Sequence, residues 1–180
     1  MLIGDSQAVK NTDTADKETK GFCFYKFTNG IKRHLCVDVL GFPIMIHCTP
    51  ANISDDQGLL EMIKKNLNYF KTKPVSTKKI TILLDSGYHK DHLETELKKS
   101  YPQILTKIRI QIAPKITREQ KEKAGKTGFV VVAKRWIIER SNSWMEKCRT
   151  LWKNCEGKIS TSEAKIRLCF IRLLLRRLTR

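Results

Sequence analysis

A short apolar run, Ile80-Thr-Ile-Leu-Leu84 between Lys79 and Asp85, constrains this chain more than any other feature. It is too short for an ordinary helix and does not alternate with polar residues. That is the pattern of a strand covered on both faces, so the chain must build a sheet with layers packed above and below it. Ser86-Gly87-Tyr88 then turns the chain, and a helix is predicted from His89 to about Ser100.

The flanking segments extend this α/β reading. Met1 to Gln7 reads as the stub of a strand, and the polar stretch Asn11 to Lys20 as a surface loop. Leu35, Val37 and Val39 alternate in a strand predicted over Ile31–Leu40. Gly41-Phe42-Pro43 turns it into an antiparallel partner, Ile44 to Thr49. Ser54-Asp-Asp-Gln57 has capping-box spacing and opens a helix to about Phe70, with Leu59, Leu60, Ile63 and Leu67 facing inward and Pro74 beyond its end. A strand follows near Lys107–Ala113, then a helix from about Lys134 to Leu151. Ser160-Thr-Ser-Glu163 repeats the capping spacing before a last helix. Strands alternating with helices imply a mixed sheet flanked by helices. The 180 residues suit one domain, with a charged insert expected over 114–128.

Charge narrows the partner. Lys and Arg number 35 against 18 Asp and Glu, a net charge of +17, which favours a polyanion whose counterions are released on binding. The plainer reading is a basic surface kept for solubility. Six cysteines are scattered without a C-x-x-C pair and no secretory signal precedes them, so reduced thiols in a cytosol are expected. His89 and His92 lack a cysteine pair and read as surface histidines rather than zinc ligands. Ile166 to Leu178 is apolar but too short to span a membrane, and Arg167 and Arg172 interrupt it; an amphipathic helix explains it better.

Asp5 in the first strand, Asp85 at the end of the apolar strand and Glu139 on an Arg- and Trp-rich helix can converge. Such hard oxygen ligands suit Mg²⁺ or Mn²⁺, held as two ions around a phosphate. Taken singly, Asp5 can cap a turn, Asp85 can end a strand and Glu139 can pair with Arg135. Arg135 and Arg140 are candidate phosphate contacts or a solvated basic face; Trp136 and Trp144 are candidates for base stacking or core packing.

Six segments in order resemble the DDE-type transposases of bacterial insertion sequences, in the IS-five-like branch of the IS-four/IS-five superfamily. They are Asp5-Ser-Gln-Ala-Val-Lys10, Lys32-Arg-His-Leu-Cys-Val-Asp38 with Leu40-Gly41, and Ala51-Asn-Ile-Ser-Asp55. Asp85-Ser-Gly-Tyr88, Arg135-Trp-Ile-Ile-Glu-Arg140 with Trp144, and the closing Ile171–Leu178 complete the set. The resemblance implies an RNase H-like fold, DNA ends and target DNA as partners, and metal-dependent strand cleavage and joining by Asp5, Asp85 and Glu139. Arg135, Arg140 and, more distantly, Lys147 would contact DNA. A homodimer on paired ends and a nucleoid-associated cytoplasmic location also follow from it.

The sequence departs from the family pattern in two places. Val132 and Glu146 stand where related proteins carry Tyr and Lys, with Lys147 one residue further on. Only four residues precede Asp5, where family members carry a DNA-binding region. The expectation is the second frame of a two-frame element, a truncated copy or a mis-called start, with a clipped first strand; on the two-frame reading a separately encoded DNA-binding product is a further partner. The competing readings are a remnant that only binds DNA and a metal-dependent nuclease of the same fold.

Overall fold

The structure is a computed structural model and describes residues 1–72, 79–114 and 134–179. Pro74, Val132 and all but the first residue of the charged insert expected over 114–128 lie outside the described residues.

The sheet is mixed. Strand β1 (Leu2–Lys10) pairs antiparallel with β3 (Thr28–Val37), and β3 with β4 (Pro43–Pro50); the two-residue β2 (Phe22–Cys23) joins the start of β3. On its other side β1 runs parallel to β5 (Ile80–Leu84), which runs parallel to β6 (Ile108–Ile112). The order is therefore β4-β3-β1-β5-β6, with β2 at the start of β3. Helices α1 (Asp55–Lys65), α2 (Leu67–Thr72), α3 (Lys90–Ser100) and α4 (Pro102–Leu105) precede or flank the parallel strands; α5 (Arg135–Glu146) and α6 (Ile159–Leu178) end the chain. This is the α/β architecture expected of an RNase H-like fold.

Two cores lie on opposite faces of the sheet, and the period of two along each strand decides which residue joins which. Leu2, Cys36, Met45, Ile82 and Leu84 pack with Leu59, Met62, Ile63, Phe70, Leu93 and Leu97 from the first four helices. Ile3, Leu35, Val37, Ile46 and Leu83 pack with Ile137, Ile138, Met145, Ile166 and Phe170 from the last two. The central β5 serves both cores, as its unbroken apolar run requires.

The first strand is not a stub. It spans nine residues and pairs with β3 from Ile3↔Val37 to Lys10↔Gly30. Its polar middle conceals it from pattern reading, because the long β3 supplies the ladder there. Strand β3 ends at Val37 rather than Leu40, since Asp38 Oδ1 accepts from the amides of both Leu40 and Phe42 at 2.9 Å and bends the chain. Gly41 closes that turn with φ +86°, leaving Val39 and Leu40 exposed.

Ser54 caps α1 by accepting from the Gln57 amide at 3.1 Å, while the Gln57 side chain donates to Glu61 instead of reciprocating. The helix expected to reach Phe70 breaks at Asn66, and α2 resumes at Leu67. The second capping box does not form. Helix α6 begins at Ile159, and Glu163 turns to β4, accepting from the Cys48 amide at 3.0 Å, from His47 Nδ1 at 2.8 Å and from Lys65 Nζ at 3.2 Å. Four of the six cysteines are buried and all six are free thiols. Among the described residues no helix is long and apolar enough to cross a membrane.

Candidate active site

The site lies where the sheet changes direction of growth. Strand β1 has β3 on one side and β5 on the other; β5 ends at Leu84 and its pairing with β1 stops at Ile3, so a crevice opens where the carboxyl end of β5 lies beside the middle of β1. The parallel register pairs Leu2 with Ile82 and Ile3 with Leu83; carried two residues further it sets Asp5 level with Asp85. Two acids that are distant in sequence thus become neighbours through backbone pairing.

Asp5 points to the face that carries α5. There Arg135, the first residue of the helix and buried, sets one guanidinium nitrogen 3.8 Å from Asp5 Oδ1 and 3.7 Å from Asp85 Oδ2. The neighbouring Nη1 is buried with no hydrogen-bond partner among the described residues. Glu139 stands one turn along the same helix, and Asn142 a further turn on, donating from Nδ2 to Asp5 Oδ2 at 3.1 Å. The helix is fixed on the sheet by Ile137, Ile138 and Met145 and by the Ser141 hydroxyl, which donates to the Gly41 carbonyl at 2.7 Å.

Asp5, Asp85, Glu139 and Arg135 line one pocket of about 420 Å³, together with Lys32, Asp55, Tyr88, Tyr25 and Lys26. Asp85 is held by the Ser86 amide at 2.7 Å. On the opposite wall Lys32 Nζ lies 2.9 Å from Asp55 and donates to the Ile53 carbonyl at 2.7 Å. Burial would raise the Asp55 carboxyl, but bonds from Lys32 and Ser6 outweigh it and hold it below the ordinary value. Asp5 goes the other way. Burial pushes it up to about 6; Arg135, the Ser6 amide and Asn142 oppose that rise, and the nearby Asp85 charge adds to it.

Among the described residues no group of three His, Cys, Asp or Glu side chains stands close enough to enclose an ion in this arrangement. The donor chemistry nonetheless suits a hard divalent cation. The pocket offers only carboxylate oxygens among its acidic groups, Asp5 is a desolvated carboxyl that a cation would favour as the anion, and a guanidinium already stands between Asp5 and Asp85.

Arg140 and Lys147 are not part of this pocket. Arg140 donates to the Leu40 carbonyl at 2.7 Å and lies over the rings of Trp136 and Trp144, at 4.6 Å and 5.0 Å. Lys147 is the exposed C-cap of α5. Trp144 packs against Phe42 and Phe170, as a core residue does.

Sequence reasoning missed Lys32, Asp55 and Asn142 as members of the site. Lys32 and Asp55 both fall in segments that carry the family resemblance, and Asn142 lies three residues after Glu139 and seven after Arg135, on one helix face. That spacing was the available signal. No curated protein and no solved structure matches the chain. The model of the family described as "Transposase DDE domain" matches residues 1–174, and the acid-lined crevice falls within that span; the chain belongs to the transposase DDE domain family.

Proposed function

We propose that this domain cleaves and joins DNA strands at the ends of an insertion sequence, using divalent metal held by Asp5, Asp85 and Glu139. Family membership makes DNA the expected partner. The observation that carries the proposal is the assembly of these three acids, with Arg135, around one pocket although they come from β1, the end of β5 and α5.

Mg²⁺ or Mn²⁺, as two ions when bound, would activate the attacking oxygen and neutralise charge on the leaving one. The chain's own groups bind and orient. Asn142 and the Ser6 amide fix the Asp5 carboxylate, and the Ser86 amide fixes that of Asp85. Arg135, whose Nη1 is buried without a partner among the described residues, is placed to take a phosphate oxygen, and Lys32 adds a second positive charge to the pocket lining. Lys147 and Arg140 flank this region as further DNA contacts, Arg140 by exchanging its bond to Leu40.

In the reaction, a water oxygen bonds to phosphorus as the P–O3′ bond breaks. The proton that the water loses returns to the departing 3′ oxygen through solvent. That 3′-hydroxyl then bonds to a target phosphorus and displaces a target 3′ oxygen. No covalent enzyme intermediate is required.

The test is nicking of a duplex carrying the element's terminal repeat, by the purified full chain, with Mg²⁺ or with chelator. Wild type nicks only with metal, and Asp85→Asn falls by 100-fold or more, on the order expected for loss of a main charge-stabilising group. Equal nicking by Asp85→Asn removes the triad assignment. Tight binding of the duplex with no nicking by wild type favours the DNA-binding remnant instead. Preferential cleavage of RNA–DNA hybrid favours the nuclease.

A further inference from the structure

Between β1 and β3 the chain reads Phe22-Cys-Phe-Tyr-Lys-Phe27, four aromatic rings in six residues. They do not enter either core. Phe24 is 75% exposed, Tyr25 95% and Phe27 87%. The segment is nonetheless shaped. Phe22 and Cys23 pair with Asn29 and Thr28, and Phe24–Lys26 forms a single 3₁₀ turn. Phe27 closes that turn in the left-handed region at φ 45°, a conformation that a bulky residue rarely adopts. The Thr28 hydroxyl secures the turn through the Lys26 carbonyl at 2.8 Å. Phe22 and Phe24 meet edge to face with centroids 5.1 Å apart, which sets the angle of the outer rings.

A cluster of exposed rings on a strained turn marks a surface that another molecule covers. Its position identifies the occupant. Cys23, Tyr25 and Lys26 form one wall of the pocket that holds Asp5, Asp85 and Glu139. Lys26 stands within the aromatic run, and Lys20 lies just before it. A membrane or protein surface laid on these rings would also close the mouth of the pocket. A strand threading that pocket would instead bring its bases to the rings and its phosphates to the lysines.

We propose that this aromatic turn is a stacking platform for unpaired bases of the DNA strand whose phosphate occupies the acidic pocket. The proposal rests on the DNA reading given above and names the part of the substrate that the turn engages. Rings stack on any base, so the platform selects unpaired over paired DNA and not one sequence over another.

The test compares two probes without divalent metal, so that no cleavage intervenes. One is a blunt 30-base-pair duplex, the other the same duplex with a six-nucleotide single-stranded tail bearing 2-aminopurine. Wild type binds the tailed probe more tightly than the blunt one and quenches the 2-aminopurine. In the full chain carrying Phe24→Ala, Tyr25→Ala and Phe27→Ala, the tailed-to-blunt affinity ratio falls about tenfold and the quenching disappears, on the scale of one or two lost stacks. Trp at the three positions restores both; Leu restores neither. If the triple substitution lowers the melting temperature, Tyr25→Ala alone is used, since its ring is almost wholly in solvent. An unchanged ratio in the Ala variants, or full rescue by Leu, overturns the platform while leaving the DNA reading intact. Failure of wild type to bind either probe overturns both. Loss of a dimer by the triple variant, with an unchanged ratio, shows the turn to be a self-association surface instead.

Discussion

Replacing Asp5 by Asn should make the protein more stable while ending its proposed activity. Asp5 lies at the inner end of the crevice, where burial lifts its carboxyl from 3.8 to about 6 despite the opposing pull of Arg135. Above pH 6 the folded protein must hold this group ionised in a place that disfavours it. The unfolded chain ionises it freely from about pH 4 upward. Between these values the folded state binds more protons, so this residue's contribution to stability falls as pH rises through that window. The full penalty at pH 7.5 is about 3 kcal/mol, at 1.36 kcal/mol for each pH unit. Asn removes the charge and keeps one acceptor for Asn142, at the loss of roughly one hydrogen bond of about 1 kcal/mol. Asp5→Asn should therefore gain about 2 kcal/mol at pH 7.5 and lose up to about 1 kcal/mol at pH 4, where wild-type Asp5 is already protonated when folded and only the hydrogen-bond loss remains. Urea unfolding at the two pH values in chelator measures this difference. Adding Mg²⁺ at pH 7.5 should stabilise wild type and leave Asp5→Asn unchanged, because a ligand stabilises only the form that binds it. A variant less stable than wild type at pH 7.5, or equally shifted at both pH values, would refute the reasoning.

Other perturbations test other parts of the structure. Gly58 lies directly on the imidazole of buried His34, with no room for a Cβ, so Gly58→Ala should destabilise by about 2 kcal/mol or more on thermal unfolding. Burial, with help from His47, lowers His34 to about 4, so its share of stability is present above pH 6.5 and lost as pH falls toward 4; His34→Gln should flatten that part of the stability profile. Burial alone would raise Glu163, but its bonds from His47, Cys48 and Lys65 hold it at about 2. Its contribution is present above pH 4.5 and lost as pH falls toward 2; Glu163→Gln should cost about 2 kcal/mol at pH 7, after allowance for solvent screening, and little at pH 2. Asn142→Leu should lower nicking by about tenfold with duplex affinity unchanged, since it orients Asp5 without facing solvent charge; a wild-type rate would remove that positioning role.

What the sequence displays is whatever the local pattern decides. The run at Ile80–Leu84, the hairpin partner at Pro43–Pro50, the Ser54 cap and the helix after His89 all carry their own signals. What it conceals depends on distant partners. Lys32, Arg33 and His34 are buried in the middle of β3, although as a tripeptide they look like solvent. Lys32 is admitted by Asp55 and His34 by Thr49, neither of which is local. Glu163 looks like the end of a capping box until β4 offers it two donors. The bond of Arg140 to the Leu40 carbonyl and its place over two tryptophan rings are likewise invisible in its own segment. That Asp5, Asp85 and Glu139 line one pocket follows the order of the family-like segments, whereas the aromatic residues beside them gave no signal, because exposed rings have no periodicity to betray them.

The parallel pairing of β1 with β5 makes the sheet a ruler for this site. Neighbouring strands stand about 4.8 Å apart wherever their ladder is intact; the parallel ladder runs over Leu2↔Ile82 and Ile3↔Leu83, so Asp5 and Asp85 follow two residues beyond a spacing set by backbone hydrogen bonding. Glu139 has no such guarantee. It rides on a helix whose N-cap, Lys134, is in the left-handed region at φ 70°, and that is tied down by side chains. Two of the three acids thus extend directly from paired backbone, while the third depends on helix packing. Substitutions along α5 can retune the distance between the carboxylates, while those in β1 and β5 can only preserve the sheet or break it.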